Sequence, residues 1–227
     1  NPEVMKLAAL IGRTPSAVAM KLSNFASLDP LITESGRKGL EGASQLDREI
    51  WNEFQTSWET LPEECARLQK EFGRETLISA DDIEPISDDF TGETRHALVE
   101  QRVKQSFFRR AVLSSYRGRC CMSGLTETSL LIASHIVPWS QDKLNRLNPR
   151  NGLCLSAIHD RAFDKGFITL TDDFHIVVSK TLRHAENDFT RATFEQLHNR
   201  QIELPERFSP ELIFIQHHRE IVFKGDA

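Results

Sequence analysis

The sequence predicts an α+β fold in which a helical N-terminal module precedes a small domain of paired strands and a helix. Apolar side chains recur at helical spacing in much of residues 1–78. Residues 79–95 are acidic and rich in turn-forming side chains, which is typical of a linker. Residues 96–227 contain two short apolar runs separated by a polar loop and followed by a helical segment. We therefore expect a helical module, an acidic linker and an α+β domain with a C-terminal elaboration.

The first thirty residues predict two helices joined by a short turn. The apolar periodicity stops at Gly12, and Thr14 followed by Pro15 is a helix start signal, with an N-cap and a proline at N1. This arrangement is typical of a helix-turn-helix, a module that reads DNA. The candidate DNA contacts at the start and on the face of the second helix are Arg13, Thr14, Ser16 and Lys21. The alternative is a helical hairpin that serves packing or dimerisation, so a homodimer is a further expectation.

Two longer helices are predicted before the strands. The first spans 47–75 with Asp47 as its N-cap. The second spans His96–Tyr116, and its apolar stripe includes Val112 and one of the two adjacent phenylalanines at 107 and 108. Basic side chains occupy the remaining surface of this second helix: Arg102, Lys104, Arg109 and Arg110.

Charge is distributed unevenly along the 227 residues, although the net charge is only −5. Residues 41–100 carry 5 basic and 16 acidic side chains, whereas residues 101–151 carry 9 basic and 2 acidic ones. A polyanion such as DNA would be attracted to the second block, while the alternative is a solvated basic face. No apolar run approaches 18 residues, so no membrane partner is expected. Four cysteines, two of them adjacent, do not form a secreted disulfide pattern and favour the cytoplasm.

The central motif is a strand, a loop, a second strand and a helix. Residues 129–137 predict the first strand, the proline-bearing segment 138–150 a loop, and residues 152–156 the second strand. Ser156 is a suitable N-cap for the following helix, and Gly166 is a suitable C′ residue. Farther along, residues 167–180 predict a β-hairpin, and the tail 181–227 is expected to pack back onto this domain.

These residues resemble the HNH endonucleases, whose fold is the ββα-metal fold. The resemblance depends on His135, Asn151 and His159 in that order, on the phrase ASHIVPW, and on NGLCLSAIHDRAFDKGFITL. It covers roughly residues 102–172 and is closest to the zinc-free, restriction-type branch. The resemblance implies a hydrolase that cleaves DNA phosphodiester bonds with a divalent metal ion, Mg²⁺ or Mn²⁺, in restriction or defence against foreign DNA.

The resemblance also implies a role for each motif residue. His135 would be the catalytic base, Asn151 would brace the loop and orient that histidine, and His159 would bind the metal. Asp164 is a further candidate ligand, although it lies about 140° around a helix from His159. Two positions depart from the commonest family pattern, because Ser134 replaces an acidic ligand before the base and Phe163 replaces a second helical histidine.

The cysteines do not predict a structural zinc site. Cys121 and Cys154 lack a second cysteine three residues later, so Cys120, Cys121 and Cys154 are expected to be small buried apolar groups. A cysteine hydrolase that pairs Cys154 with His159 is a weaker interpretation. The sequence is also compatible with a catalytically inactive DNA-binding regulator, and with a protein-interaction domain that has a nuclease-derived fold.

Overall fold

The computed structural model describes residues 1–34, 42–58, 60–72 and 92–225, and the chain divides into two compact units, residues 1–104 and 105–227. Residues 79–91 of the predicted linker lie outside the described residues, and its last four residues are helical. No helix in the described ranges is both long and apolar enough to cross a membrane.

The first unit opens with the two predicted helices, α1 (Pro2–Leu10) and α2 (Pro15–Ala26). Thr14 caps α2, because its hydroxyl oxygen accepts a hydrogen bond from the backbone N–H of Ala17. Gly12 in the turn has a φ of 64°, a conformation that glycine adopts without a steric penalty. The predicted two-helix turn is therefore present, and its use as a DNA reader stays a prediction.

The prediction of one helix over 47–75 is wrong. After α3 (Pro30–Glu34), the chain forms two helices, α4 (Gln45–Thr56) and α5 (Leu61–Glu71). Pro62 explains the interruption, because proline fits the first turn of a helix but not its interior. The N-cap of α4 is Ser44 rather than Asp47; Asp47 is the N3 residue of a capping box and accepts from the N–H of Ser44.

Helix α6 (Gly92–Ser115) begins four residues before the predicted start and passes from the first unit into the second. In the second unit it buries Phe108 and Val112, as its apolar stripe predicted. Phe107 beside them is only half-buried.

The motif segment forms two antiparallel strands and a helix: β1 (Leu131–His135), β2 (Gly152–Ser156) and α7 (Ala157–Asp164). The register pairs Leu131 with Ser156 and His135 with Gly152. Ser156 caps α7, as predicted. At the other end Gly166 has a φ of 74°, and Phe167 donates its N–H to the carbonyl of Ala162, which is the Schellman arrangement.

The remainder of the second unit packs around this motif. The predicted hairpin is β3 (Ile168–Leu170) with β4 (Ile176–Val178), followed by α8 (Lys180–Arg183), α9 (Asp188–Phe194) and α10 (Leu212–His217). A π-helical turn, His218–Val222, follows α10. The ring of His218 stacks on Phe163 of α7 with centroids 3.7 Å apart. The tail therefore packs back onto the domain, as the sequence predicts.

Candidate active site

His135 ends β1 with its ring fixed on three sides. Its Nε2 lies 2.8 Å from the backbone carbonyl of Arg146, and because a carbonyl only accepts, Nε2 must carry the hydrogen. Phe108 stacks on the ring at 3.8 Å between centroids, and Trp139 meets it edge-on at 5.5 Å. In the neutral ring Nδ1 therefore holds a lone pair, which is the form a general base needs.

The surroundings of His135 favour that neutral form. Burial lowers the pKa of His135, while the hydrogen bond to the carbonyl of Arg146 opposes this effect. The effect of burial on the pKa is the larger of the two, so the imidazole is unprotonated near pH 7 and gains a proton only in a more acidic solution.

Asn151 holds the loop that orients His135. The side chain is fully buried; its Oδ1 accepts from the N–H of Val137 at 2.8 Å, and its Nδ2 donates to the carbonyl of Val137 at 3.1 Å. The same Nδ2 donates to the carbonyl of Asn145 at 3.4 Å. Asn151 thus ties the start of the loop to the residue before Arg146, whose carbonyl accepts from His135. The bracing role that the resemblance implies for Asn151 matches these contacts.

A cleft of about 230 Å³ opens beside His135. Three charged residues of α7 and its C-cap line it with the histidine: Arg161, Asp164 and Lys165. His218 and Val222 of the C-terminal segment close another side. The cleft therefore combines a base, a carboxylate and two cations within the second unit.

Asp160 is a candidate site residue that the sequence analysis missed. Burial raises the pKa of Asp160, and its negative charge adds to the desolvation that raises the pKa of Asp164 one turn later. The buried hydroxyl of Ser134 on β1 lies near enough to oppose the rise at Asp160, although it makes no hydrogen bond of ordinary geometry in the described part of the chain. Counting back four residues from Asp164 along the helix would have found Asp160.

His159 does not line the cleft beside His135. Its Nδ1 lies 2.9 Å from the hydroxyl of Ser156 and 3.6 Å from the sulfur of Cys120, and its ring meets Phe194 edge-on. Successive helical residues point about 100° apart, so His159 and Asp160 cannot share a face of α7. The structure therefore turns the predicted ligand His159 toward the interior and turns Asp160 and Asp164 toward the strand that carries the base.

The basic residues of α6 have separate surroundings. Arg109 donates to the backbone carbonyls of Leu131 and Thr128, so its guanidinium anchors the start of β1. Lys104 forms an ion pair with Glu63 at 2.8 Å. Arg102 is half-buried, and Arg110 is exposed.

The candidate DNA contacts of the first unit also differ in their surroundings. Arg13, Thr14 and Ser16 are exposed, and the hydroxyls of Thr14 and Ser16 lie 3.1 Å apart. Lys21 instead donates to both carboxylate oxygens of the buried Asp47, at 2.9 and 3.0 Å. The ammonium of Lys21 therefore already has an anionic partner within its own unit.

The carboxylates of α7 suit a hard divalent cation. Mg²⁺ and Mn²⁺ prefer oxygen donors, and Mg²⁺ is held in many enzymes by one or two carboxylates, with water and substrate phosphate as the other ligands. Asp160 and Asp164 provide such a pair. Within the described ranges, no group of three or more His, Cys, Asp or Glu side chains could hold a metal ion. A site here would therefore depend on ligands from the substrate and solvent.

The cysteines are all free, and three of them are buried. Cys154 is not the cysteine beside His159, and burial raises its pKa to about 12. Cys120 is that neighbour. Burial opposes ionisation of Cys120, but hydrogen bonds from His159, Ser123 and the backbone of Met122 outweigh it and lower the pKa to about 6. Because Cys120 has no exposed surface, it is not placed to attack a substrate.

Comparison with known families identifies the motif segment. Residues 120–171 match the family model described as HNH endonuclease, and among curated proteins none matches the chain. The matched segment contains β1, the loop, β2 and α7, and with them His135, Asn151, Asp160 and Asp164. The resemblance to the HNH endonucleases is thus confirmed over residues 120–171, whereas the zinc-free, restriction-type branch stays a prediction.

Proposed function

We propose that this protein is a metal-dependent endonuclease that hydrolyses phosphodiester bonds of DNA. The observation that carries the proposal is the cleft in which a neutral histidine, His135, faces the carboxylate of Asp164 and the cations of Arg161 and Lys165. The HNH endonuclease match of residues 120–171 supports the same reaction class.

Phosphodiester hydrolysis requires an activated water, neutralisation of charge at the phosphate and stabilisation of the leaving oxygen. Nδ1 of His135 takes a proton from the attacking water, and the carbonyl of Arg146 stabilises the resulting imidazolium through the hydrogen on Nε2. Arg161 and Lys165 contact the phosphate. Asp160 and Asp164 would hold a divalent ion, Mg²⁺ or Mn²⁺, which supplies Lewis-acid stabilisation when bound.

The biological setting in this proposal is restriction or defence against foreign DNA, and the compartment is the cytoplasm. The zinc-free, restriction-type resemblance of the motif supports the first statement. Four free cysteines support the second, because thiols persist in a reducing compartment.

The proposal is tested by replacing the base. His135→Ala should lower the rate of plasmid cleavage with Mn²⁺ by about 10²–10⁴-fold, because it removes proton transfer. DNA affinity should stay nearly unchanged. His184→Ala is the matched control, because His184 is exposed on the C-cap of α8 and should cut at the wild-type rate. Cleavage by His135→Ala at the wild-type rate would remove His135 from the mechanism.

A catalytically inactive DNA-binding regulator is the second candidate. The observation that favours it is the ligand set, which within the described residues does not reach three side chains. The two functions separate in one experiment, in which the wild-type protein is incubated with plasmid DNA and either Mg²⁺ or Mn²⁺. A regulator would retard the DNA in a gel and leave it uncut with both metals, whereas a nuclease would nick or linearise it.

A further inference from the structure

The loop between β1 and β2 carries the most exposed large apolar side chain in the described part of the chain. Leu144 is 82% exposed, whereas the next most exposed of these side chains, Phe189 and Ile213, are 67% exposed. Single exposed leucines are common on protein surfaces, so exposure by itself indicates no role. The position of Leu144 does indicate one, because the same loop holds the proposed base, His135.

The tip of this loop, residues 142–145, is held in one shape. The carboxylate of Asp142 accepts hydrogen bonds from the backbone N–H groups of Leu144 and Asn145, both at 3.1 Å, and from Nδ2 of Asn145 at 2.7 Å. Nδ2 of Asn148 donates to Oδ1 of Asn145 at 3.0 Å, and Nδ2 of Asn151 donates to its backbone carbonyl at 3.4 Å. Because the backbone of the tip is already ordered, little further conformational entropy is lost when Leu144 contacts a partner.

The loop also joins Leu144 to His135. The carbonyl that accepts from Nε2 of His135 belongs to Arg146, two residues after Leu144, and two residues of chain span at most about 7 Å. The start of the loop is tied to α10, because Nε2 of His217 lies 3.0 Å from Oε1 of Gln141. Successive bases of a DNA strand are about 3.4 Å apart. A DNA phosphate that reaches His135 therefore brings base pairs only a few steps away to Leu144.

Positive charge flanks this leucine. Lys143 precedes it and is exposed, and Arg146 follows it, with the guanidinium 5.3 Å from the ring centroid of Trp139. The acidic side chain of the tip, Asp142, is already occupied by the donors of the tip itself. Lysine and arginine contact DNA phosphates, and these contacts position a protein on the duplex. An apolar side chain between two such cations matches the wedges with which some proteins separate base steps from the minor groove.

We propose that Leu144 inserts between base pairs of duplex DNA beside the scissile phosphate and kinks the duplex there. The inference rests on the proposed nuclease function and adds to it a residue that deforms the substrate. Unstacking a base step is costly, and contacts made on the bent duplex offset this cost. The wedge is therefore needed on fully paired DNA and dispensable where the bases are already unpaired.

The first test compares two substrates of one sequence, a fully paired duplex and a duplex with a mismatched bubble across the cleavage site. Leu144→Ala should cut the paired duplex about tenfold or more slowly than the wild type does, because the base step is no longer opened. The same variant should cut the bubble at nearly the wild-type rate. Leu144→Met keeps a wedge and should restore cleavage of the paired duplex. Leu204→Ala is the matched control, because it removes an exposed leucine outside the loop and should cut both substrates normally.

A second measurement requires no cleavage. The fluorescence of 2-aminopurine rises when this base unstacks, so short duplexes labelled at successive positions report insertion by the full chain in EDTA. The wild type and Leu204→Ala should raise the fluorescence at one or two positions, and Leu144→Ala should not. The proposal is overturned if the bound wild type leaves the fluorescence unchanged at every position, or if Leu144→Ala cuts paired and bubble DNA with the same loss of rate. A wild type that unstacks the duplex but cuts no DNA with Mg²⁺ or Mn²⁺ would support the wedge and reject the nuclease function.

Discussion

At the scale of single residues, Gly152 shows how closely helix α6 approaches the site. A Cβ atom at this position would lie 2.5 Å from Cγ2 of Val112 and 2.9 Å from Cζ of Phe108, both on α6. Phe108 is also the ring on which His135 stacks. Because Gly152 has no side chain, Phe108 can come close enough to stack against the ring of His135.

Gly152→Ala should consequently damage both stability and cleavage. We expect a loss of about 1–3 kcal/mol in the free energy of unfolding, which is typical of overpacking, because Phe108 and Val112 must move. The activity remaining per folded molecule should also fall, since a displaced Phe108 no longer fixes His135. Urea denaturation and plasmid cleavage measure the two effects.

Gly118→Ala provides the comparison. An added Cβ there meets no atom within 4 Å, but its φ of 62° carries the ordinary left-handed penalty of about 1 kcal/mol. This variant should cut DNA normally once corrected for folded protein. If Gly152→Ala is as stable as the wild type, α6 can move away from position 152 without a loss in the free energy of unfolding.

His218 makes stability depend on pH. Its Nε2 donates to the carbonyl of Phe163, and its Nδ1 accepts from the hydroxyl of Thr169, so the ring is held neutral. Burial lowers the pKa of His218 from 6.5 to about 4, with the hydrogen bond to Phe163 opposing and the charge of His217 assisting. Between these values the unfolded chain binds a proton that the folded chain does not. Stability is therefore complete above about pH 6.5 and falls as the pH drops toward 4, by up to about 3 kcal/mol.

Urea unfolding of the wild type and His218→Gln at pH 7.5 and pH 5 checks this linkage. The variant should lose less stability on acidification than the wild type does, by about 2 kcal/mol. The exposed His184→Gln should leave the pH dependence unchanged. Equal pH dependence in wild type and His218→Gln would contradict the assignment.

At the scale of elements, the rotation of α7 about its own axis decides which of its side chains are buried and which are not. Ala162 and Phe163 are buried in the domain together with His159, whereas Asp160 and Asp164 lie one position farther around the helix. The Schellman cap at Gly166 fixes the end of the helix. A Cβ on Gly166 would lie 2.1 Å from the carbonyl oxygen of Val222, so the C-terminal segment locks this end in place.

The orientation of α7 predicts which substitutions weaken metal binding. Asp160→Asn and Asp164→Asn should each weaken Mn²⁺ binding and lower plasmid cleavage by about tenfold or more, because each removes a charged oxygen ligand. His159→Gln should leave Mn²⁺ affinity unchanged, since that side chain faces Ser156 and Cys120. Calorimetric titration with Mn²⁺ measures the affinities. Affinity lost in His159→Gln alone would restore His159 as the ligand and exclude the two aspartates.

At the scale of the whole molecule, the two compact units predict a division of labour. The second unit, residues 105–227, contains the cleft and its own buried core. The first unit carries the exposed Arg13 and Ser16 beside the start of α2. Phosphate contacts position a protein on DNA, and contacts with base edges provide sequence specificity. We therefore expect cleavage to belong to the second unit and sequence preference to the first.

A truncated protein that begins at residue 91 should fold and still cut DNA with metal, because α6 begins at Gly92 and the second unit is retained. It should lose discrimination among sites on a mixed-sequence substrate, which sequencing of the cleaved ends measures. Binding should weaken steeply with salt in both the full and truncated proteins, because phosphate neutralisation releases counterions.

Arg13→Ala in the full chain should reproduce the loss of preference more mildly. Lys21→Ala is a less informative companion, because it leaves the buried carboxylate of Asp47 without its cation and should destabilise the unit. If the truncated protein cuts the same sites with the same preference, residues 1–30 serve packing or oligomerisation instead of recognition.

Local signals in the sequence were sufficient to predict the ββα segment. Ser156 and Gly166 mark the ends of α7, and the two apolar runs mark β1 and β2, with boundaries at or near those observed. These signals depend on hydrogen bonds between residues a few positions apart, so they can be read without the tertiary structure. The break at Pro62 was equally local, and it was missed because the apolar spacing continued past it.

Only the tertiary structure decided which side of α7 faces the base. The sequence by itself determined the presence of His135, Asn151 and the helix, and the order of these parts. The neighbours of His159 include Cys120, 39 positions earlier, and Phe194, on a later helix, and no local pattern encodes such contacts. The same applies to Arg109, whose charge predicted DNA binding but whose guanidinium binds the backbone carbonyls of β1 and the turn before it. The sequence of a helix does not fix how the helix is rotated about its own axis. Packing against distant segments sets that rotation in α7 by burying His159, placing Asp164 in the wall of the cleft and Asp160 near Ser134 of β1.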